Sequence, residues 1–156
     1  MAFQIVLVEP EIPPNTGNIA RTCAATGTRL HLVEPLGYSL EDKYLKRAGL
    51  DYWQYVNLEI HSSLKDFLEK YKEAQMFFSS TRGQNLYTDV CFNQDCFILF
   101  GKETAGLPKW LLATHPEKNI RIPMNKETGE RSLNLSNSVN IILYEALRQT
   151  GFKGLF

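Results

Sequence analysis

The residues able to do chemistry fall in three short polar stretches. The first runs Glu9-Pro10-Glu11-Ile12-Pro13-Pro14-Asn15-Thr16-Gly17-Asn18-Ile19-Ala20-Arg21. Its prolines stiffen the approach. Asn15 to Asn18 then set short polar side chains and a glycine at the start of a helical pattern, where free N–H groups favour an anion. Arg21, in the opening turns of that helix, can add a bidentate charge-assisted contact to a phosphate. A plain helix cap at Asn15 with a solvated Arg21 gives the same pattern, so this stretch alone leaves both readings open.

The second stretch, Phe100-Gly101-Lys102-Glu103-Thr104-Ala105-Gly106-Leu107-Pro108, follows an apolar run directly. Its glycines permit positive φ and close approach of a ligand to bare backbone, although a routine glycine-rich turn looks the same. It is neither a dinucleotide fingerprint nor a Walker A loop, because Leu107-Pro108 stands where Lys and Ser/Thr would have to follow the second glycine. The third stretch is Ile120-Arg121-Ile122-Pro123-Met124, a polar loop, and then Arg131-Ser132-Leu133-Asn134-Leu135-Ser136-Asn137-Ser138-Val139-Asn140. It carries more amide and hydroxyl capacity than one helix cap requires, which points to recognition.

Other chemistries fail on spacing. His31, His61 and His115 stand apart, with no HExxH and no Cys/His cluster, so no metal is expected. Ser79-Ser80 lacks a nucleophile elbow, and Cys23 lies on the apolar face of its helix, where a packed thiol is inert. Lys43, Lys46 and Arg47 share one face of a helical pattern, as an RNA-facing patch or as an ordinary solvated face.

Elements of two kinds must position these stretches. Apolar runs suited to buried strands recur at 4–8, 30–33, 75–79, 96–100 and 120–122. Helical patterns lie between several of them: from a cap at Asn15 to about Thr26, stopped by Gly27; from Ser39 with Asp42 as a capping box through about Ala48; from Ser62 or Ser63 through Tyr71; and from about Leu135 to a stop at Gly151. Strands alternating with helices predict an α/β fold with a mainly parallel sheet and helices on both faces. Ligands then bind beyond the carboxyl ends of the strands, in the loops after Val8, Ser79, Phe100 and Ile122.

The chain has 156 residues, 44% hydrophobic and 22% charged, which suits one domain with one core spanning 1–156. Seventeen Lys and Arg balance seventeen Asp and Glu, so an RNA site must be a local patch, not a general positive field. Cys23, Cys91 and Cys96 form no CxxC pair, which fits a reducing, cytoplasmic setting better than a disulfide framework. No apolar run approaches membrane-spanning length, and the first residues read as a strand, with no basic region that would mark a signal peptide.

Taken in order, Asn15 to Arg21, Phe100 to Pro108, and Ile120 to Met124 with Arg131 to Asn137 resemble the three motifs of the SPOUT-class RNA ribose 2′-O-methyltransferases. The resemblance covers essentially the whole chain. Its small size, the Glu9-Pro10-Glu11-Ile12-Pro13 opening and Leu32-Val33-Glu34-Pro35-Leu36-Gly37 look most like the branch that methylates the wobble cytidine or modified uridine of tRNA. The resemblance implies a carboxyl-terminal trefoil knot, an S-adenosylmethionine pocket yielding S-adenosylhomocysteine, and a homodimer that brings one subunit's motif to the other's cofactor. It implies cofactor contacts at Ser79, Gly101, Ile122, Ser132 and Leu133, catalytic roles for Arg21, Asn15 and Asn134, and tRNA contacts at Arg21, Arg131 and Tyr144. Tyr144 could equally pack in the dimer interface. Lys102 and Ala105 depart from the family pattern, where Pro and Arg are common, which leaves the substrate less fixed than the cofactor. Methylation of ribosomal RNA and a binding module without turnover are the competing expectations.

Overall fold

The computed structural model describes residues 2–41, 43, 47, 52–129 and 132–156. Among the described residues, seven strands form one parallel sheet: β1 (Gln4–Val8), β2 (Arg29–Val33), β3 (Leu58–His61), β4 (Met76–Ser79), β5 (Asn85–Leu86), β6 (Phe97–Phe100) and β7 (Asn119–Arg121), in the order β3-β2-β1-β6-β4-β7-β5. The α-helices whose bounds lie among the described residues are α1 (Pro13–Thr26), α2 (Leu64–Lys70), α3 (Lys109–Thr114) and α4 (Leu135–Gln149).

The continuous apolar runs are explained by burial on both faces. Side chains alternate across a strand, so Ile5, Leu7, Leu30, Leu32, Ile98 and Phe100 enter one core with Ile19, Ala20 and Cys23 of α1 and Val139, Ile142, Leu143 and Ala146 of α4. Val6, Val8, Val33, Met76, Phe78, Phe97 and Leu99 enter the opposite core with Phe67 of α2 and Leu111 of α3. The predicted α/β architecture is therefore present, helices on both faces included. Cys23 packs at 1% exposure, and burial pushes its thiol up to about 12, so it is inert as expected.

Several boundaries differ from the sequence reading. Helix α1 begins at Pro13, with Ile12 as its N-cap and no local side chain capping it, so Asn15 is not the cap. The two prolines fix helical φ and need no N–H partner, which lets the first turn start earlier and frees the Asn15 amide for other work. Gly27 closes the helix in a left-handed conformation at φ 68°, as read. Ser63 caps α2 by accepting from the Asp66 amide. Strands β3 and β5 and helix α3 carry too few apolar residues, or are too short, to be read from periodicity. Of the expected helix through Ala48, Lys43 and Arg47 are helical and exposed, while Asp42, Lys46 and Ala48 lie outside the described residues.

The loop after β4 crosses β7 at very close range. The Ser80 amide donates to the Ile120 carbonyl at 2.9 Å, and a Cβ on Gly83 would lie 2.5 Å from the Ile120 carbonyl carbon. Backbone is the obstacle, and backbone cannot rotate away as a side chain can. Gly83→Ala is expected to lower unfolding stability by about 1–3 kcal/mol, as overpacking does, which denaturant titration of the two proteins would measure.

Candidate active site

The carboxyl ends of β6, β4 and β7 open into a cleft of about 550 Å³. Ser79 comes from the end of β4, Gly101 from the loop after β6, Ile122 from the residue after β7, and Ser132, Leu133 and Asn134 from the approach to α4; Asn15 of α1 joins them in the same lining. All five residues predicted to hold the cofactor thus line one cleft, at the strand ends where the α/β reading placed it. Leu107, Leu112, Ile122 and Leu133 supply apolar wall, and Ser79, Ser80 and Thr81 supply hydroxyls and amides. That mixture, apolar surface with a few convergent polar groups, is what a flat heterocycle bearing a polar tail requires.

The glycine-rich turn is closed so tightly that a Cβ on Gly101 would lie 1.9 Å from the Gly106 carbonyl carbon. Gly106 sits at φ 71° and donates its amide to the Lys102 carbonyl at 2.8 Å. This fold-back presents Glu103 toward α1. One Glu103 oxygen accepts the Glu11 amide at 2.9 Å; the other accepts the Ile12 amide at 2.9 Å and the Asn15 Nδ2 at 3.1 Å. The carboxylate therefore satisfies N–H groups at the start of α1 and sits at its positive end, where a negative charge is favoured.

From Asn15 the network continues into the third stretch. Asn15 Oδ1 accepts from Asn134 Nδ2 at 3.1 Å, and Asn134 Oδ1 accepts the Ser136 amide at 2.9 Å and the Ser136 hydroxyl at 2.6 Å, capping α4. Glu11 replies to the second loop by accepting the Thr104 hydroxyl at 2.7 Å and the Thr104 amide at 3.0 Å. These two bonds hold the Glu11 carboxyl below the usual carboxylate range. Asn15 and Asn134, expected to act in catalysis, are thus the middle of a continuous hydrogen-bonded link between all three stretches. Glu103 and Glu11 were not singled out from the sequence. The available signal was a carboxylate enclosed by two glycines, facing a second loop that also carries one.

Arg21 is placed differently. It lies exposed on α1, outside the cleft lining of its own chain, with its guanidinium carbon 4.8 Å from the centre of the Tyr52 ring. Tyr144 is 47% exposed on α4, near Ile141 at 36%, and α4 is tied to α1 by the Thr22 hydroxyl donating to Asn140 Oδ1 at 2.8 Å. Arg131 lies outside the described residues. Behind α1, Tyr38 meets the Thr16 hydroxyl at 2.5 Å, and burial pushes its phenol up to about 12.

A parallel sheet with a ligand-sized cleft built from three loops at its strand ends defines an α/β ligand-binding enzyme fold. The chain belongs to the SpoU rRNA Methylase family, whose sequence pattern matches residues 2–144. It is 50% identical, over 97% of its length and 98% of the relative's, to a protein from Methylovorus glucosotrophus (strain SIP3-4) named tRNA (cytidine(34)-2'-O)-methyltransferase. A solved structure reported as giving insight into the 2-OH methylation of C/U34 on tRNA superimposes with a TM-score of 0.91 at 44% identity, covering 96% of this chain and 97% of that one. The SpoU methyltransferase AviRb from Streptomyces viridochromogenes, solved in complex with AdoMet, superimposes with a TM-score of 0.83 at 25% identity over 96% of this chain and 60% of that one.

The network predicts a graded response. Glu103→Ala should cost about 1–3 kcal/mol of stability, because it leaves donors at the start of α1 without their acceptor, and it should abolish cofactor binding. Glu103→Gln, which keeps an acceptor oxygen, should retain more of both. Denaturation midpoints and calorimetric titration with S-adenosylhomocysteine would check the order.

Proposed function

We propose that this chain is an S-adenosylmethionine-dependent methyltransferase that modifies the ribose 2′-oxygen of the wobble pyrimidine, cytidine or modified uridine, in the tRNA anticodon. In this reading it acts as a single-domain, knotted homodimer in the cytoplasm. The observation carrying the reading is the cleft at the ends of β4, β6 and β7, where residues from all three motifs meet. Full-length similarity near 50% to a position-34 enzyme supports the substrate.

S-adenosylmethionine, when bound, supplies a methyl group on a sulfonium, a good leaving group. Ser79, Gly101, Ile122, Ser132 and Leu133 would hold it, with the apolar wall against the adenine and polar backbone against the rest. No covalent enzyme intermediate is required, so the protein's task is to bring the 2′-oxygen in line with the methyl carbon and assist loss of the hydroxyl proton. Arg21 is suited to binding the adjacent phosphate and polarising the 2′-oxygen. A guanidinium delocalises its charge and presents only donors, so it is a poor base, and the proton passes to a neighbouring group or to water.

Because Arg21 lies outside its own cleft, the reading assigns it to the cleft of a second copy. The exposed Ile141 and Tyr144 on α4, packed beside α1, suit that contact or a base stacked on Tyr144. Arg131, from the third motif, is read as a further RNA contact. Tyr52 would hold the Arg21 guanidinium ready by a cation–π contact of about 0.5–1 kcal/mol.

The test is methyl incorporation from labelled S-adenosylmethionine into unfractionated tRNA from a strain lacking the gene, followed by nucleoside mapping. Label in a 2′-O-methylated wobble pyrimidine is the expected result. No label in tRNA, with cofactor binding intact, would overturn the assignment in favour of ribosomal RNA or of binding alone. Arg21→Ala should reduce methyl transfer by at least about 100-fold, within the range for a group acting at the reacting oxygen, while S-adenosylhomocysteine affinity stays within about twofold.

A further inference from the structure

The three histidines that look isolated in the sequence are not all isolated in space. His31 on β2 pairs in register with Glu59 on β3, and His61 lies two residues beyond Glu59 on the same face. His31 Nδ1 is 3.0 Å from His61 Nε2, Glu59 Oε2 is 3.8 Å from His31 Nδ1, and Glu59 Oε1 is 3.7 Å from His61 Nε2. Both imidazoles are buried, at 1% and 6% exposure, among Phe67, Tyr71 and Phe97, while the Glu59 side chain is 28% exposed and gives a path to solvent.

The tautomer of His31 is set by its other side. His31 Nε2 is 2.7 Å from Gln4 Oε1, and Gln4 directs its amide nitrogen to the Ala2 carbonyl at 3.4 Å. The proton therefore resides on His31 Nε2, and Nδ1 presents a lone pair toward His61 and Glu59. A carbonyl holding the far N–H of a histidine is the usual support of a metal ligand. Both rings are buried among aromatic side chains, which favours the neutral form that a metal ligand must have.

We propose that His31, His61 and Glu59 form a binding site for a divalent transition metal of the zinc class, entered when the Lys70 ammonium leaves Glu59. A tetrahedral ion with bonds of about 2.0–2.1 Å needs ligand atoms about 3.3 Å apart, so the present spacings require movements of only about 0.5 Å. The His61 proton moves through solvent from Nε2 to Nδ1, and no net proton is released. Lys70 forms an ion pair with Glu59 but is 57% exposed on a flexible stem, so it can turn to water. The Tyr71 hydroxyl, which donates to Glu59 at 2.8 Å, keeps the carboxylate oriented. The ion would tie β3 at the sheet edge to β2, apart from the cleft, and the proposal does not depend on the methyltransferase reading.

The experiment is titration of the chelator-treated full-length protein with Co2+ and with Zn2+, read by the visible ligand-field band of Co2+, by calorimetry and by the unfolding temperature. One equivalent per chain, a band of low-symmetry coordination and a chelator-reversible rise in unfolding temperature are expected. Lys70→Ala should bind the metal about two- to fivefold more tightly, since it removes a competing exposed ion pair. Glu59→Gln and His61→Asn should each lose the band. Absence of a band and of any stabilisation at millimolar metal would overturn the proposal. So would binding that persists unchanged in Glu59→Gln, which would belong to the exposed His115–Glu117 pair at 3.3 Å. Should His61→Asn fail to fold, Glu59→Gln and Lys70→Ala decide the matter, both altering partly exposed side chains.

Discussion

The Glu103 carboxylate is the point on which the cleft depends. It receives two backbone amides from the entry to α1 and the Asn15 side chain, and Asn15 passes the connection to Asn134 at the start of α4. Three loops that leave the sheet at different strands are thereby held at one separation. Each bond is modest in net terms, about 0.5–1.5 kcal/mol, and somewhat more where the carboxylate accepts. Their joint effect is geometric. Without them, each loop would be free to settle against its own strand end, and the cleft would lose its shape before the sheet lost its stability.

The same constraint explains residue choices that look unrelated along the chain. Gly101 allows the second loop to fold back and carry Glu103 inward. Pro13 and Pro14 begin α1 without needing hydrogen-bond partners of their own, leaving the Glu11 and Ile12 amides for Glu103. Gly37 lies against Glu11, where a Cβ would stand 2.9 Å from the Glu11 Cα, so the segment after β2 closes over the back of the same entry. The sheet contributes rigidity: all five residues of β1 are buried, and its neighbours β2 and β6 run parallel to it in register.

Much of this was legible from residue types. Strand β1, the stop of α1 at Gly27 and the start of α4 at Leu135 follow from apolar runs and punctuation, which also place a ligand site at the strand ends; the choice of Ser79, Gly101, Ile122, Ser132 and Leu133 within it comes from the family resemblance, and all five line the cleft. Strand β3 was missed because Leu58, Glu59 and Ile60 are only partly covered at the sheet edge, and β5 because two residues carry no period. Asn15 looked like a cap because caps are normally local, and the acceptor that serves α1 lies in another loop. Periodicity carries no information on such pairings. It likewise missed His31 with His61, which meet only because β2 and β3 are neighbours.

That remote acceptor has a kinetic side. The Ile12 amide finds its partner 91 residues further along the chain. A ribosome adding about 5–20 residues per second needs roughly 5–18 s to synthesise that interval. During that time α1 has its prolines and its left-handed stop but no anion at its head, so the nascent helix must fray at the end nearest the cleft. The α1 entry acquires its final form only once β6 has entered the sheet and the turn behind it has closed. In vectorial synthesis, the ligand-binding end of this protein is therefore completed well after the first residues that build it have emerged.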